Sequence, residues 1–251
     1  MAKQTGLGAN LFLGSYDLSG DVGAVDTIAA PRGSLDITGI NKAAAERILT
    51  HRNGMLGFTG FWNATASQIV DALNNMPTTD LLATVAIPAT FGAFAVGDVA
   101  ASVNGKQIGL DSSSGQDGSL GVSTQVAANG YPLEWGQLLT VGLETFATGT
   151  VSGTSIDFGD TSTLFGAAAY LHVISHGSGT ATFTIQDSAD NSSFAAVTGM
   201  AFTNVTAATS ERIQGTTSAT VRRYVRVQKT GVSTATVAVI NFVRYLTSQA
   251  I

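Results

Sequence analysis

There is no cysteine in this chain, which excludes disulfides, thiolate metal sites and thiol nucleophiles together. The fold therefore has no need of an oxidising compartment. Charge is scarce as well: 12% of the residues are Asp, Glu, Lys or Arg, about half the usual share. A surface built instead from Thr, Ser, Gly and Ala costs little to desolvate and suits large subunit interfaces. Proline occurs four times in 251 residues. No apolar run reaches the roughly 20 residues that a membrane-spanning helix needs. The longest, around 81–96 and 237–245, are broken by Pro88, Gly92 or Arg244. The opening MAKQTGLGANLFLG lacks the basic-then-apolar order of a signal peptide. These absences predict a soluble protein made in the cytoplasm, with no membrane partner.

What is present is a large apolar fraction, 44%, and 29 glycines. The length suits one large β domain or two of ordinary size. The net charge of −5 is unevenly placed. Residues 1–150 hold twelve acidic and six basic side chains, giving −6, and residues 151–251 hold five and six, giving +1. An acidic first half argues against tight nucleic-acid binding, which needs Lys and Arg to displace counterions. It does not argue against DNA passing without sticking.

Two short helices are expected, both early. Asn41–Leu49 offers good helix formers behind an Asn cap, and Ala64–Met76 repeats Ile69, Val70, Leu73 and Met76 at helical spacing ahead of Pro77. The rest reads as strand and turn. Strands are expected at 57–62 and 81–87. Residues 99–127 read as one long hairpin around the turn formers of Asp111–Gly118. The Thr- and Gly-rich stretch 146–160 is the expected boundary. Beyond it, strands at 167–175, 180–186, 194–197, 211–214, 221–228 and 236–246 predict a helix-free β-sandwich. There is no short-period repeat and no heptad pattern. The fold class is mainly β, with a first domain at 1–150 and a second, jelly-roll-like sandwich at 151–251.

Few side chains suggest chemistry. His172 and His176 are four apart and would share one strand face, a conceivable metal pair without a third ligand nearby. Asp187–Ser193 has oxygens at calcium-like spacing, but it falls where a hairpin turn is due, and Asp and Asn favour turns for their own reasons. Asp111–Gly118 is open to the same two readings. Gly6-Leu7-Gly8 opens no strand-to-helix unit. The sequons at Asn63, Asn191 and Asn204 carry meaning only in a secreted chain. Glu134 and Glu144 are isolated in sequence and give no acid–base pair. No catalytic residue, cofactor or metal is expected, and the chain reads as a non-enzyme. Arg222, Tyr224 and Arg226 share one face of a strand, with Arg223, Val225 and Val227 on the other. That basic face reads either as a subunit contact or as a glycan site.

MAKQTGLGANLFLGSYDLSGDVG, DITGINKAAAERI and DGSLGVSTQVAANGYPLEWGQLLTVG resemble the tail tube (major tail) proteins of long-tailed actinobacterial bacteriophages, over most of the chain. The resemblance implies a β-sandwich or barrel with flanking helices and a long hairpin. It implies hexameric rings whose inner strands join into one barrel, stacked into a tube through which DNA travels during ejection. The partners implied are other copies of the chain, the tape measure, tail terminator and distal tail proteins, and DNA in transit; the location implied is the virion tail. Family lumens are acidic, so Asp98, Asp111 and Asp117, with Lys106 the one nearby cation, are the lumen-facing or ring-contact candidates. Phe183–Val197 followed by Arg223–Val227 resembles discoidin-like and carbohydrate-binding sandwiches, which decorate phage tails. In that reading 151–251 lies outside, with Tyr170, Phe194 and Tyr224 the candidate aromatics. Competing expectations are a virion protein that binds host glycans through its second domain, and a capsid decoration protein.

Overall fold

The computed structural model describes residues 6–159 and 162–248. Its elements in chain order are β1 (Asn10–Leu13), β2 (Tyr16–Asp17), β3 (Val22–Ala29), β4 (Arg32–Asp36), β5 (Arg47–Arg52), β6 (Met55–Phe61), α1 (Ile69–Asn74), β7 (Leu81–Ile87), β8 (Val99–Ser114), β9 (Leu120–Ala128), β10 (Glu134–Leu138), β11 (Glu144–Phe146), β12 (Val151–Ser152), β13 (Ile156–Asp157), β14 (Ala167–His176), β15 (Thr182–Ser188), β16 (Ala195–Ala201), β17 (Thr209–Gln214), β18 (Tyr224–Thr230) and β19 (Thr236–Arg244). The mainly β reading of the sequence is correct. No helix among the described residues is long and apolar enough to cross a membrane.

The centre is an eight-strand antiparallel path, β17-β14-β19-β10-β8-β7-β1-β2. It curls on itself: Thr84 of β7 and His172 of β14, with three strands between them in the path, are joined side chain to side chain at 2.8 Å. Strands in this position are covered on both faces, which is why β7, β14 and β19 read as near-continuous apolar runs. A five-stranded sheet and a branch of the central sheet itself cover the outside of the curl. On one side β18, β15 and β16, with β12 and β13, pack Phe183, Ile185, Val225 and Val227 against Leu171, Ile240 and Phe242. On the other side the far half of β8, together with β9, β6 and β3, packs Val122, Val126, Leu56 and Phe58 against Leu11, Leu13, Val85 and Val103. α1 closes the end of this second core through Ile69 and Leu73.

The expected boundary at 146–160 does hold irregular chain, but it is tied down. β12 and β13 both pair with β18, and the buried Lys229 of β18 donates to the carbonyl of Ala147 at 2.9 Å. Asp160 lies outside the described residues. β19, from beyond the boundary, sits between β14 and β10 and also pairs with β11. The curled sheet therefore draws strands from both sides of residue 150.

Both helix expectations need correction. Asn41–Leu49 is a loop leading into β5. A nine-residue helix with only Ile48 and Leu49 to bury is marginal in water, and pairing of β5 with β4 wins. The helix expected at 64–76 shrinks to Ile69–Asn74. Its start is fixed by Asp21, whose carboxylate accepts from the Ile69 N–H at 3.0 Å and from Asn63 Nδ2 at 2.8 Å.

Candidate functional site

Two surfaces are left with backbone or apolar groups that the described residues do not satisfy. The first is the four-strand sheet formed by the far half of β8 with β9, β6 and β3. β7 pairs one edge of β8 as far as Gly105, and β9 pairs the opposite edge from Gly105 onward. From Ile108 to Ser114 the other edge of β8 has no ladder partner among the described residues. β3 closes the opposite side and pairs with β6 alone. The sheet thus ends in two open edges, the arrangement most prone to pair with another chain.

The inner face of this sheet is core. Its outer face runs in rows across the strands: Asp111, Ser123, Thr59 and Ala24 form one, and Ile108, Gln125, Gly57 and Thr27 the next. Apart from the exposed Ile108 and Phe61, its side chains are mostly small, and few are charged. Asp111 is exposed on it, and Lys106 lies on the same face. The lysine is engaged by Asp80 at 2.7 Å. Of the four residues the sequence proposed for a lumen, these two share one surface.

The other two serve their own turns. Asp98 is buried, and its carboxylate accepts from the backbone of Ala89 at 3.1 Å and Ala95 at 2.8 Å, holding the loop before β8. Asp117 sits at the tip of the β8–β9 hairpin and accepts from Ser119 N and Oγ at 3.0 and 2.7 Å. Those bonds hold its carboxyl below the usual range.

The second surface is an arm. β4 and β5 pair only with each other and continue the β3–β6 hairpin beyond the end of its sheet. No residue of the arm joins a hydrophobic core. Leu35 and Ile48 are cross-strand partners and both exposed, as are Ile37, Leu49 and, at the extreme, Ile40 at 109%. The end loop is nevertheless ordered by polar contacts. Asp36 accepts from the Thr38 N–H at 2.9 Å, Thr38 Oγ1 accepts from Glu46 N at 2.9 Å, and Lys42 pairs with Glu46 at 3.0 Å. The strand pair shows five large aliphatic side chains to water, an exposed apolar surface of the kind that marks interaction sites.

At the root of the arm lies a cavity of about 600 Å³, lined among others by Arg32, His51, Arg52, Tyr131, Glu134 and Arg212. Its floor is a cluster that sequence reasoning missed. Glu134 of β10 accepts from the phenols of Tyr170 and Tyr245, the latter at 2.7 Å, and from Arg212 Nη2 at 3.1 Å. The Arg212 guanidinium lies 3.7 Å over the Tyr131 ring. Burial and the neighbouring carboxylate push the Tyr170 phenol well above its ordinary range. The only sequence signal was a carboxylate inside an aromatic stretch, Tyr131–Trp135; its partners come from β14, β17 and the segment after β19.

The remaining sequence candidates resolve as follows. His172 and His176 do not share a face. A register shift between Val173 and Ser175 reverses the alternation. His172 is buried against Thr84 and the Gly14 carbonyl, and its pKa falls to about 4 because burial disfavours the cation. His176 faces Thr236 and the Gly179 carbonyl instead. In the 187–193 turn, Asp187 is buried and receives Arg222 through Nε at 2.8 Å, Nη2 at 2.6 Å and its backbone N–H at 2.7 Å. Asp190 caps the turn through Ser192 and Ser193, which draw its pKa down to about 2 together with Ser188. Both aspartates thus have structural partners.

Arg226 lies 3.9 Å over Phe194 and bonds Gln186 at 3.0 Å, while Tyr224 is half-buried. Arg223 precedes β18 and is turned out to Asp157, not in with Val225. Tyr170, proposed for an aromatic platform, is wholly buried.

No family model matches the chain, and no curated protein matches it. Among solved structures, the SPP1 Dit protein, described as a paradigm of the hub adsorption apparatus in phages infecting Gram-positive hosts, overlaps 94% of this chain and 99% of its own at 11% identity and a TM-score of 0.31. An overlap that low assigns neither a fold family nor a role.

Proposed function

We propose that the chain is a self-assembling structural subunit of a bacteriophage tail, forming the tail tube as stacked hexameric rings around a passage for DNA. The observation that carries this reading is the four-strand sheet with two open edges, β3 on one side and the far half of β8 on the other. Edge-to-edge pairing of identical copies is heterologous, and it closes into a ring when the rotation between copies divides the circle. The shared sheet would turn its weakly charged face to the lumen, with Asp111 the residue that repels phosphate. The exposed aliphatic arm would supply contacts that a single copy leaves unmade. The sequence resemblance to tail tube proteins supports the same reading.

The test is assembly of the purified chain. Sedimentation velocity across a concentration series, followed by negative-stain microscopy, should show rings and then tubes. A chain that remains monomeric at high concentration overturns the reading.

A further inference from the structure

We propose that His172 is an acid-sensitive latch that holds the β1–β2 turn and β7 against β14, where the two ends of the curled sheet come together. The inference is independent of the tube reading. Three observations lead to it.

The first is position. His172 of β14 is 1% exposed. Its Nδ1 lies 2.7 Å from the Gly14 carbonyl, and its Nε2 lies 2.8 Å from Thr84 Oγ1 of β7. Gly14 turns the chain between β1 and β2 at a φ of 58°, and its N–H donates to the Leu82 carbonyl of β7 at 2.7 Å. One imidazole thus ties to β14 two stretches of chain that are 158 and 88 residues away in sequence.

The second is the direction of the bonds. A carbonyl only accepts, so Nδ1 carries the proton and Nε2 is bare. Thr84 then donates to Nε2. Ser102 Oγ, 2.7 Å away, donates to Thr84, and Asn241 Nδ2 donates to Ser102 at 2.8 Å. All four side chains are buried, and the chain of bonds crosses from β19 through β8 and β7 to β14 and the β1–β2 turn. A second proton, on Nε2, turns that nitrogen into a donor facing a donor. Thr84 must turn its own proton toward Ser102, which strands the Ser102 proton against the Asn241 amide nitrogen.

The third is the lack of a counter-charge. The elements around the imidazole present Phe12 from β1, Thr84 from β7, Ser102 from β8, Val239 and Asn241 from β19, and Ser210 from β17. None of these titrates. The next residue on that face of β14 is Tyr170, and it, Glu134 and Arg212 are committed to one another. Burial lowers the His172 pKa to about 4, and no carboxylate opposes it. Charge on the ring is therefore tolerated only once the latch has opened to water.

Hydrogen exchange on the full chain, corrected for the intrinsic effect of pH, tests the proposal. The amides of 11–18 should exchange through a smaller opening than those of 238–242 in β19. From pH 7 to pH 4.5 that opening should become on the order of fifty-fold more populated in the wild type, the ratio set by a latched pKa of about 4 and an unlatched one of about 6.5. H172Q keeps a donor and an acceptor but does not titrate, and it should show no such rise. Nitrogen NMR of the wild type at pH 7, which needs no variant, should find the imidazole proton on Nδ1. Exchange of 11–18 and 238–242 through one common opening, an equal rise in H172Q, or a proton on Nε2 each overturns the latch.

Discussion

The ladders β14–β19 and β4–β5 both carry branched aliphatic side chains, and those side chains end in opposite environments. Both are antiparallel pairs with branched aliphatic side chains. The first lies at the centre of the curled sheet, and nearly all its positions are buried. The second shows almost every position to water. Burying a Leu or Ile side chain contributes about 1.5–3 kcal/mol, so the arm forgoes a contribution that its own fold could have used. The central ladder stabilises the subunit. The arm is ordered by Asp36, Thr38 and Glu46 rather than by a core, and under the proposed assembly its apolar surface would meet a neighbouring copy.

If that division holds, damage within the curled sheet around the central ladder should cost stability first. The largest loss is expected at Glu134. Removing it in E134A strands the Arg212 guanidinium, whose side chain is 5% exposed, beside two phenols. Breaking a buried pair from one side costs about 3–5 kcal/mol. Urea unfolding at pH 7 should show a drop of that order, and E134L/R212M, which removes both charges, should lose less. A loss below about 1 kcal/mol in E134A would mean that the cluster is wet and the centre of the curl is not the stabilising region.

A smaller effect in the same region depends on pH. His172 has a folded pKa of about 4, against about 6.5 when exposed. Between those values the unfolded chain binds the proton and the folded one does not, so stability rises with pH across that window. The contribution is fully present above about pH 6.5 and lost as pH falls toward 4. Its size is on the order of 3 kcal/mol. Urea midpoints of wild type and H172Q compared at pH 7 and pH 4.5 should show the variant losing less on acidification. Parallel losses in the two proteins would place the acid sensitivity elsewhere.

These residues mark the limits of what the sequence could say. The strands of the second half were legible because turn residues punctuate them at regular intervals, and β7 matched the expected 81–87 residue for residue. The long β8–β9 hairpin was legible because alternation brackets a run of turn formers. The arm was not. Ala43-Ala44-Ala45 and Glu46 advertise a helix by propensity, and the pairing of Ile48 with Leu35 overrides it through a contact thirteen positions away. Nor was the Glu134 cluster, since its members lie in β10, β14 and β17, far apart in sequence, and meet only once the sheet is assembled. The parity of His172 and His176 failed for a single inserted residue, Ile174, which no period-two reading can anticipate.

The finest test of the comparison lies in the arm, where a change should leave stability almost untouched. Leu35 and Ile48 face each other across β4–β5, and Ile40 stands at the end of the connecting loop. None contacts a core cluster, so L35S/I48S and I40S should shift the urea midpoint by no more than surface substitutions do, within about 0.5 kcal/mol. If the aliphatics are reserved for a neighbouring copy, the same variants should assemble poorly at concentrations where the wild type forms rings, because each lost contact recurs in every subunit. Sedimentation velocity and denaturation on the same preparations separate the two effects. Equal stability with lost assembly establishes the arm as an interface. Lost stability with intact assembly would show instead that the arm folds back on its own subunit in solution, and the contrast between the two ladders would vanish.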